Sequence, residues 1–376
     1  MNSFFKKFNQ ICEKYQVISS NIVIVNEKKV DSYCYGNLSL KENVPTPKNA
    51  IYRIASISKI IVAMSMMMLI EKGKADLNDD ISQYLGFAIR NPKFINVPIT
   101  IKMLMLHTSS ITDGLETGGL GYNGVNVIKQ FIRLEELLIP DGAFYTPDTF
   151  TDCKPGTQFQ YSNFGSGILA CIVERISGEY FTDFIEKRLF IPLNIDASFR
   201  VEKIKSKDII ASSYQSHNND FVLALSKELA LERMFPRYEL GHNFRGPAGG
   251  LFISMPDLAK IMMILMNDGK YNNHHFLKKE TVNQMYQMHW QKDSDKLYQA
   301  KGLQMIILKG FTNIPLRGHF GNAYGVRSFM LFSKEEKKGA CFISSGGKYD
   351  MALSGMTLLQ EDVLKLFIEF YQLKYQ

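Results

Sequence analysis

The chain has 376 residues, of which 45% are hydrophobic and 22% are charged, the balance of an ordinary globular protein. The net charge of +7 comes from scattered basic residues without a nucleic-acid-binding motif. We therefore expect no nucleic-acid partner and only a mild attraction for anionic substrates or surfaces. The five cysteines are widely spaced, which predicts neither a disulfide framework nor a metal site.

The N-terminal residues 1–16 show one apolar helical face and lack the continuous apolar stretch and cleavage site of a signal peptide. No uncharged stretch is long enough to predict a membrane span. As the chain stands, the sequence predicts a cytoplasmic protein, or an exported one if a signal was removed. Two β-like runs follow at residues 21–25 and 30–35, and their short separation predicts a hairpin.

An apolar run over residues 54–70 begins with Ser56-Ile57-Ser58-Lys59 and predicts a buried helix. Residues three apart share a helix face, so the Ser56 hydroxyl would lie beside the Lys59 amine. A serine next to a proton acceptor is the arrangement of an activated nucleophile. The alternative is a helix cap followed by a lysine that reaches solvent. That alternative is weakened because the helix is apolar nearly all round, and burial would lower the pKa of Lys59 and make it a usable base.

The middle of the chain combines predicted helices with long irregular stretches. Residues 100–107 predict a helix capped by Thr100, and residues 163–190 predict further helices. Residues 110–150 are rich in Gly, Asp, Thr and Pro, with periodicity only over 125–138. Residues 206–243 are polar and weakly patterned. Long loops of this kind commonly shape binding sites, so we expect both stretches to determine the substrate.

The C-terminal part predicts a helix over residues 255–267, which begins at the cap Ser254, and another over 280–289. The remaining predicted elements are strands at 304–308, 316–320, 326–332 and 340–344, a charged hairpin loop at 333–339 and a terminal helix at 356–371. Strands near both ends and helices between them predict that the two ends meet in one sheet while the middle forms a helical lobe.

Two further motifs follow Ser-x-x-Lys: Tyr161-Ser162-Asn163 and Gly318-His319-Phe320-Gly321. In this order the three motifs resemble those of the serine β-lactamase and penicillin-binding protein superfamily. The chain is most similar to the class C branch with its DD-peptidase, D-aminopeptidase and esterase relatives. The similarity extends from about residue 22 to residue 347. It includes the segments Ile51-Tyr52-Arg53-Ile54-Ala55, Leu106-His107-Thr108-Ser109 and Pro247-Ala248-Gly249-Gly250-Leu251.

The resemblance implies an α/β plus all-α fold of the β-lactamase/transpeptidase type, in which an antiparallel sheet is flanked by helices and carries an inserted helical lobe. We expect residues 1–72 and 245–376 to form the α/β lobe and residues 73–244 to form the mostly helical lobe. The active site would lie in the cleft between them.

By the same resemblance, Ser56 is the nucleophile, while Lys59 and Tyr161 move its proton. Asn163 would hydrogen-bond the substrate and contact Lys59, although an N-cap of the following helix is an equally compatible role for it. The backbone N–H groups of Ser56 and Asn322 would form the oxyanion hole.

His319 stands where β-lactamases usually have a lysine that binds the substrate carboxylate. A mostly neutral histidine binds a carboxylate weakly, and this residue resembles that of the esterase and aminopeptidase relatives. Arg245, Arg317 or Arg327 would then have to supply the charge. Gly321 would let a substrate approach the strand edge.

These residues predict a serine hydrolase that forms an acyl-enzyme on Ser56 and acts on an amide, peptide or ester, as DD-peptidases, esterases and β-lactamases do. No cofactor or metal is required, and the expected partner is a small-molecule or peptide substrate. Two alternatives remain: an acyl transferase or cyclase that uses the same acyl-enzyme, and a catalytically dead binding protein with this fold. His107 is interpreted as a structural hydrogen-bonding residue and not as a base.

Overall fold

The computed structural model describes residues 3–27, 29–115, 119–218, 220–292 and 297–372. The α-helices of these ranges are α1 (Ser3–Lys14), α2 (Ser58–Glu71), α3 (Ser82–Leu85), α4 (Ile101–Leu106), α5 (Gly121–Val125), α6 (Glu135–Leu138), α7 (Asn163–Ser177), α8 (Phe181–Ile185), α9 (Lys227–Glu232), α10 (Met255–Met266), α11 (Lys279–Tyr286) and α12 (Leu358–Phe370).

The strands of the same ranges are β1 (Ser19–Asn26), β2 (Lys29–Gly36), β3 (Ile51–Arg53), β4 (Ser213–His217), β5 (Asp220–Leu225), β6 (Phe252–Ser254), β7 (Lys270–Tyr271), β8 (His274–His275), β9 (Trp290–Gln291), β10 (Ala300–Gly302), β11 (Met305–Leu308), β12 (Leu316–Ala323), β13 (Val326–Ser333) and β14 (Lys338–Ser345). Most predicted strands and helices appear within a few residues of their expected bounds, but the strands β3 to β10, including the β4–β5 hairpin, were not predicted.

The main sheet joins the two ends of the chain. Its strand order is β2-β1-β14-β13-β12-β11-β10-β9, and its neighbouring strands are antiparallel. β1 pairs with β2 on one side and with β14 on the other. The prediction that the two ends meet in one sheet is therefore confirmed.

Helices cover both faces of this sheet. On one face, α1 and α12 pack against each other and bury a core that includes Phe4, Phe8, Phe320 and Phe367. On the other side of the sheet, α10 packs against β1, β13 and β14. Because successive strand residues point to opposite faces, Leu316 and Phe320 of β12 enter the α1/α12 core while His319 and Gly321 face away from it.

By contact, the chain divides into two compact units. One contains Met1–Ile57, Phe190–Glu232 and Gly249–Gln376, and the other contains Ser58–Leu189 and Arg233–Ala248. The predicted bounds at residues 72 and 245 differ from these. α2 groups with the helices because it packs on α7, and the segment that carries the β4–β5 hairpin groups with the sheet.

The helical unit is built around α2 and α7. Helix α7 contacts α2, α3, α4 and α8. In α2 the twelve consecutive residues from Ser58 to Leu69 are buried, so this helix has no polar outer face. Among the helices that the described ranges contain, none is both long and apolar enough to cross a membrane.

A buried tyrosine fastens β3, the strand that leads to Ser56, onto the sheet. The Tyr52 hydroxyl donates to Asn21 Oδ1 at 2.6 Å and lies 2.7 Å from Ser19 Oγ.

We expect Tyr52→Phe to reduce the free energy of unfolding by about 1–3 kcal/mol, because it leaves buried polar atoms without their partner. Urea unfolding measures this. Tyr324→Phe, at a tyrosine that is 38% exposed, is the control and should be nearly neutral. Equal effects of the two variants would contradict the anchoring role.

Candidate active site

Ser56 lies in a short 3₁₀ turn, Ala55–Ile57, between β3 and α2. It is partly exposed, whereas Ala55 and Ile57 on either side of it are buried. Ala55 has φ +52°, a left-handed conformation that is unfavourable for a residue with a side chain. Such strain persists only where surrounding contacts impose it, and it concentrates at functional sites.

Three hydrogen bonds hold the backbone just before this turn. Ile54 N donates to Leu251 O at 2.9 Å, and Arg53 Nε donates to Gly249 O at 2.9 Å. From the sheet, Ser328 Oγ donates to Ile54 O at 3.2 Å. The segment of residues 247–251 that carries part of the family resemblance thus supports the serine turn directly.

Gly321 of β12 lies against the same turn. A methyl group at this position would overlap Ile54 O and Ser328 Oγ and would come within 3.3 Å of Ala55 Cβ. The glycine therefore lets the strand approach the protein's own serine turn. Its predicted contact with substrate stays a prediction.

His319 and Asn322 occupy the same strand in different environments. The His319 side chain is fully buried, and its Nδ1–H donates to Phe320 O at 2.6 Å. Asn322 is exposed, and its Oδ1 accepts from Gln360 Nε2 at 3.1 Å. The sheet unit thus places β12 beside the Ser56 turn. The oxyanion role of Asn322 stays a prediction.

Lys59 of the helical unit is buried in α2, and its ammonium group has polar partners. Nζ donates to Asn163 Oδ1 at 2.7 Å and to Ala248 O at 2.8 Å. It also lies 5.0 Å from the centre of the Tyr161 ring, within cation–π range. This unit therefore brings together Lys59, Tyr161 and Asn163, the three predicted site residues that it contains.

The Tyr161 ring also contacts His107. The two rings stack with centroids 4.6 Å apart and an interplanar angle of 30°. His107 Nδ1 accepts from Ser162 N at 3.3 Å, which orients the ring. This geometry agrees with the prediction that His107 is structural, and it shows that the residue supports the Tyr161 ring.

The N-cap of helix α7 is not Asn163, which was one of the two roles predicted for that residue. Ser162 is the N-cap, and its Oγ accepts from Gly165 N at 2.9 Å, so Asn163 is the first helical residue and leaves its amide free for other contacts. The Asn163 amide donates from Nδ2 to Asp113 Oδ2 at 2.7 Å. Sequence reasoning missed Asp113, since it lies fifty residues from Asn163 and no local pattern connects the two.

The two long irregular stretches are tied to each other within the helical unit. Buried Arg245 donates to the carbonyls of Val125, Ile128 and Gln130. His242 Nδ1 accepts from Leu134 N at 3.0 Å. The Nη1 and Nη2 groups of Arg245 thus donate to backbone carbonyls, and its contact with a substrate carboxylate, for which it was one of three candidates, stays a prediction.

Curated relatives match part of the chain. Protein flp of Staphylococcus aureus (strain N315) is 27% identical over 197 residues, which are 52% of this chain and 37% of the relative. Penicillin-binding protein 4 of Amycolatopsis lactamdurans is 23% identical over 267 residues, 70% of this chain and 63% of the relative. The chain thus spans between about a third and two thirds of the length of these relatives.

Solved structures share the fold over nearly the whole chain. The D-amino acid amidase of Ochrobactrum anthropi SV3 has a TM-score of 0.75 at 17% identity and covers 99% of this chain and 98% of its own. A class C β-lactamase mutant has a TM-score of 0.71 at 16% identity, with 98% and 97% covered.

The antiparallel sheet, the flanking helices and the order of the motifs place the chain in the serine β-lactamase and penicillin-binding protein superfamily. The enzymes of this superfamily are serine hydrolases. A family model described as Beta-lactamase matches residues 2–364. The chain belongs to this Beta-lactamase family.

Two glycines on either side of the serine turn allow a matched test. We expect Gly321→Ala to destabilise the protein by about 1–3 kcal/mol, because the added methyl has no space. Gly249→Ala should be nearly neutral, because its methyl would meet Ala55 only at 3.6 Å, an ordinary contact distance. Urea unfolding of both variants measures the difference. A neutral Gly321→Ala would show that the strand does not approach the turn this closely.

The hydrogen bond between Leu134 N and His242 Nδ1 should be sensitive to acid. Burial lowers the pKa of His242 below its ordinary value of 6.5. The unfolded chain therefore binds this proton more readily than the folded one, so the contribution to stability is complete above about pH 6.5 and is lost as the pH falls through the folded pKa. Melting temperatures measured from about pH 7.5 down to about pH 5 should fall more steeply for the wild type than for His242→Gln. Parallel curves would exclude His242 as the cause.

Proposed function

We propose that this protein is a serine hydrolase that forms an acyl-enzyme on Ser56. The observation that carries the proposal is Lys59: a fully buried lysine, three residues after Ser56, that lies against both Asn163 and Tyr161. A buried ammonium group is costly, and a purely structural helix would be more stable with an apolar residue at this position. The partly exposed, strained serine turn supports the same interpretation.

The proposed reaction has two steps and requires Ser56 of one unit and Tyr161 of the other to face the same substrate. Ser56 Oγ bonds to the substrate carbonyl carbon while its proton passes to the Tyr161–Lys59 pair. Lys59 Nζ donates to Asn163 Oδ1 and Ala248 O. A cation near a phenol helps the phenol to release its proton, so a Tyr161 phenolate would accept the proton of Ser56. The bond to the leaving amine or alcohol then breaks, and the leaving group takes the proton. Water attacks the acyl-enzyme, releases the acid and restores Ser56.

The proposed substrates are amides, peptides or esters. His319 is fully buried, and a histidine lacks the permanent positive charge of the lysine that β-lactamases usually have at this position, so it offers little attraction for a substrate carboxylate. This favours amide and ester hydrolysis over β-lactam hydrolysis. The fold that the chain shares with a D-amino acid amidase makes D-amino acid amides the first substrates to test.

Covalent labelling tests the nucleophile. Intact-mass spectrometry after exposure to a fluorophosphonate should show one adduct on the wild type and none on Ser56→Ala. Ser65→Ala is the control, because Ser65 lies on the same chain segment but is buried and donates to Ile61 O. It should label like the wild type. No adduct on the folded wild type would contradict the hydrolase proposal, and an adduct that persists on Ser56→Ala would contradict the assignment of Ser56.

Exposure to a penicillin separates the substrate classes. On the proposal, a penicillin should label Ser56 much more slowly than the fluorophosphonate, while D-amino acid amides should be turned over. Rapid penicillin turnover would contradict the argument drawn from buried His319. A long-lived penicillin adduct would indicate the peptidase side of the family.

A further inference from the structure

One carboxylate contacts the amide that lies against Lys59. The Asn163 amide receives a hydrogen bond from Lys59 Nζ on Oδ1 and gives one from Nδ2 to Asp113 Oδ2, both 2.7 Å long. An amide oxygen only accepts and an amide nitrogen only donates. The orientation of this amide therefore determines whether Lys59 faces an acceptor or a donor.

Asp113 is itself held in place. Its Oδ1 accepts from Phe164 N at 2.8 Å and from Ser162 Oγ at 3.0 Å, both at the start of α7. Three donors thus converge on the carboxylate, and the start of a helix favours a negative charge. An ionised carboxylate can only accept, so Asn163 must turn its nitrogen toward Asp113 and its oxygen toward Lys59.

We propose that Asp113 is a positioning residue of the active site: by fixing the orientation of the Asn163 amide, it holds the Lys59 ammonium beside Tyr161. This inference rests on the proposed function for its catalytic consequence. The competing explanation is that Asp113 merely caps α7 through Phe164 N.

The variant Asp113→Asn separates the two explanations because the Phe164 N–H is a fixed donor. The amide introduced at this position would keep its carbonyl oxygen on that N–H and turn its NH₂ group toward Asn163. Asn163 would then have to flip, which would place an NH₂ group against Lys59. We expect the rate of fluorophosphonate labelling to fall about tenfold or more and its pH dependence to change.

The double variant Asp113→Asn/Asn163→Asp supplies the rescue. Here residue 113 donates to residue 163, and a carboxylate oxygen again faces Lys59. Labelling should recover a large part of the loss. Ser162→Ala is the matched control, because it removes the cap of Gly165 and one bond to Asp113 but leaves the Asn163 amide in place. It should lower the melting temperature but slow the labelling of the folded protein much less than Asp113→Asn does, because Phe164 N and Asn163 Nδ2 still hold the carboxylate.

A second measurement does not depend on activity. Urea unfolding of Asp113→Asn, Lys59→Met and the combination measures whether the two sites are coupled through the Asn163 amide. We expect at least about a threefold coupling in the folding equilibrium constant. Additive effects, together with equal labelling rates for Asp113→Asn and Ser162→Ala, would overturn the inference and leave Asp113 a helix cap. If the wild type is not labelled at all, the proposed function fails, and the coupling alone decides whether Asp113 orients Asn163 toward Lys59.

Discussion

The burial of one ammonium group is the constraint on which the helical unit depends. Lys59 lies among twelve consecutive buried residues of α2, where an unpaired charge would cost several kcal/mol. The fold provides the Ala248 carbonyl and the Asn163 amide, and each of these needs support of its own. Asn163 is oriented by Asp113, and α7, which carries it, is capped by Ser162. The partners of one lysine, and the groups that support them, thus come from three separate stretches of the chain.

The sheet unit holds the strained turn Ala55–Ile57, which contains Ser56. Ala55 adopts a left-handed conformation, and its neighbours must impose it. Backbone carbonyls of residues 249 and 251 hold the turn from one side, and Ser328 and Gly321 of the sheet hold it from the other. Strand β3, anchored by Tyr52, carries this support back to β1. The partly exposed Ser56 is therefore presented by a rigid frame and not by a flexible loop.

Much of this could be predicted because the signals are local. Short runs rich in apolar residues located the strands β11 to β14, and Thr100 and Ser254 cap helices as predicted. Motif order predicted Ser56, Lys59, Tyr161 and Asn163 as site residues, and Lys59 lies against both Asn163 and Tyr161 in the structure. The β4–β5 hairpin escaped because its residues 215–217 are exposed and polar, so no alternation marks it. The periodicity of residues 125–138 belongs to the ends of two short helices with an irregular segment between them. Asp113 escaped because its partners are distant in sequence, and a carboxylate in a Gly- and Thr-rich stretch is ordinarily solvated.

The sequence shows two irregular stretches, residues 110–150 and 206–243. His242 of the second stretch, and Arg245 just beyond it, form hydrogen bonds with backbone groups of the first. Backbone carbonyls exist at every position, so no side-chain pattern could reveal these bonds. A guanidinium that donates to three carbonyls restricts the backbone of residues 125–130 whatever their side chains are.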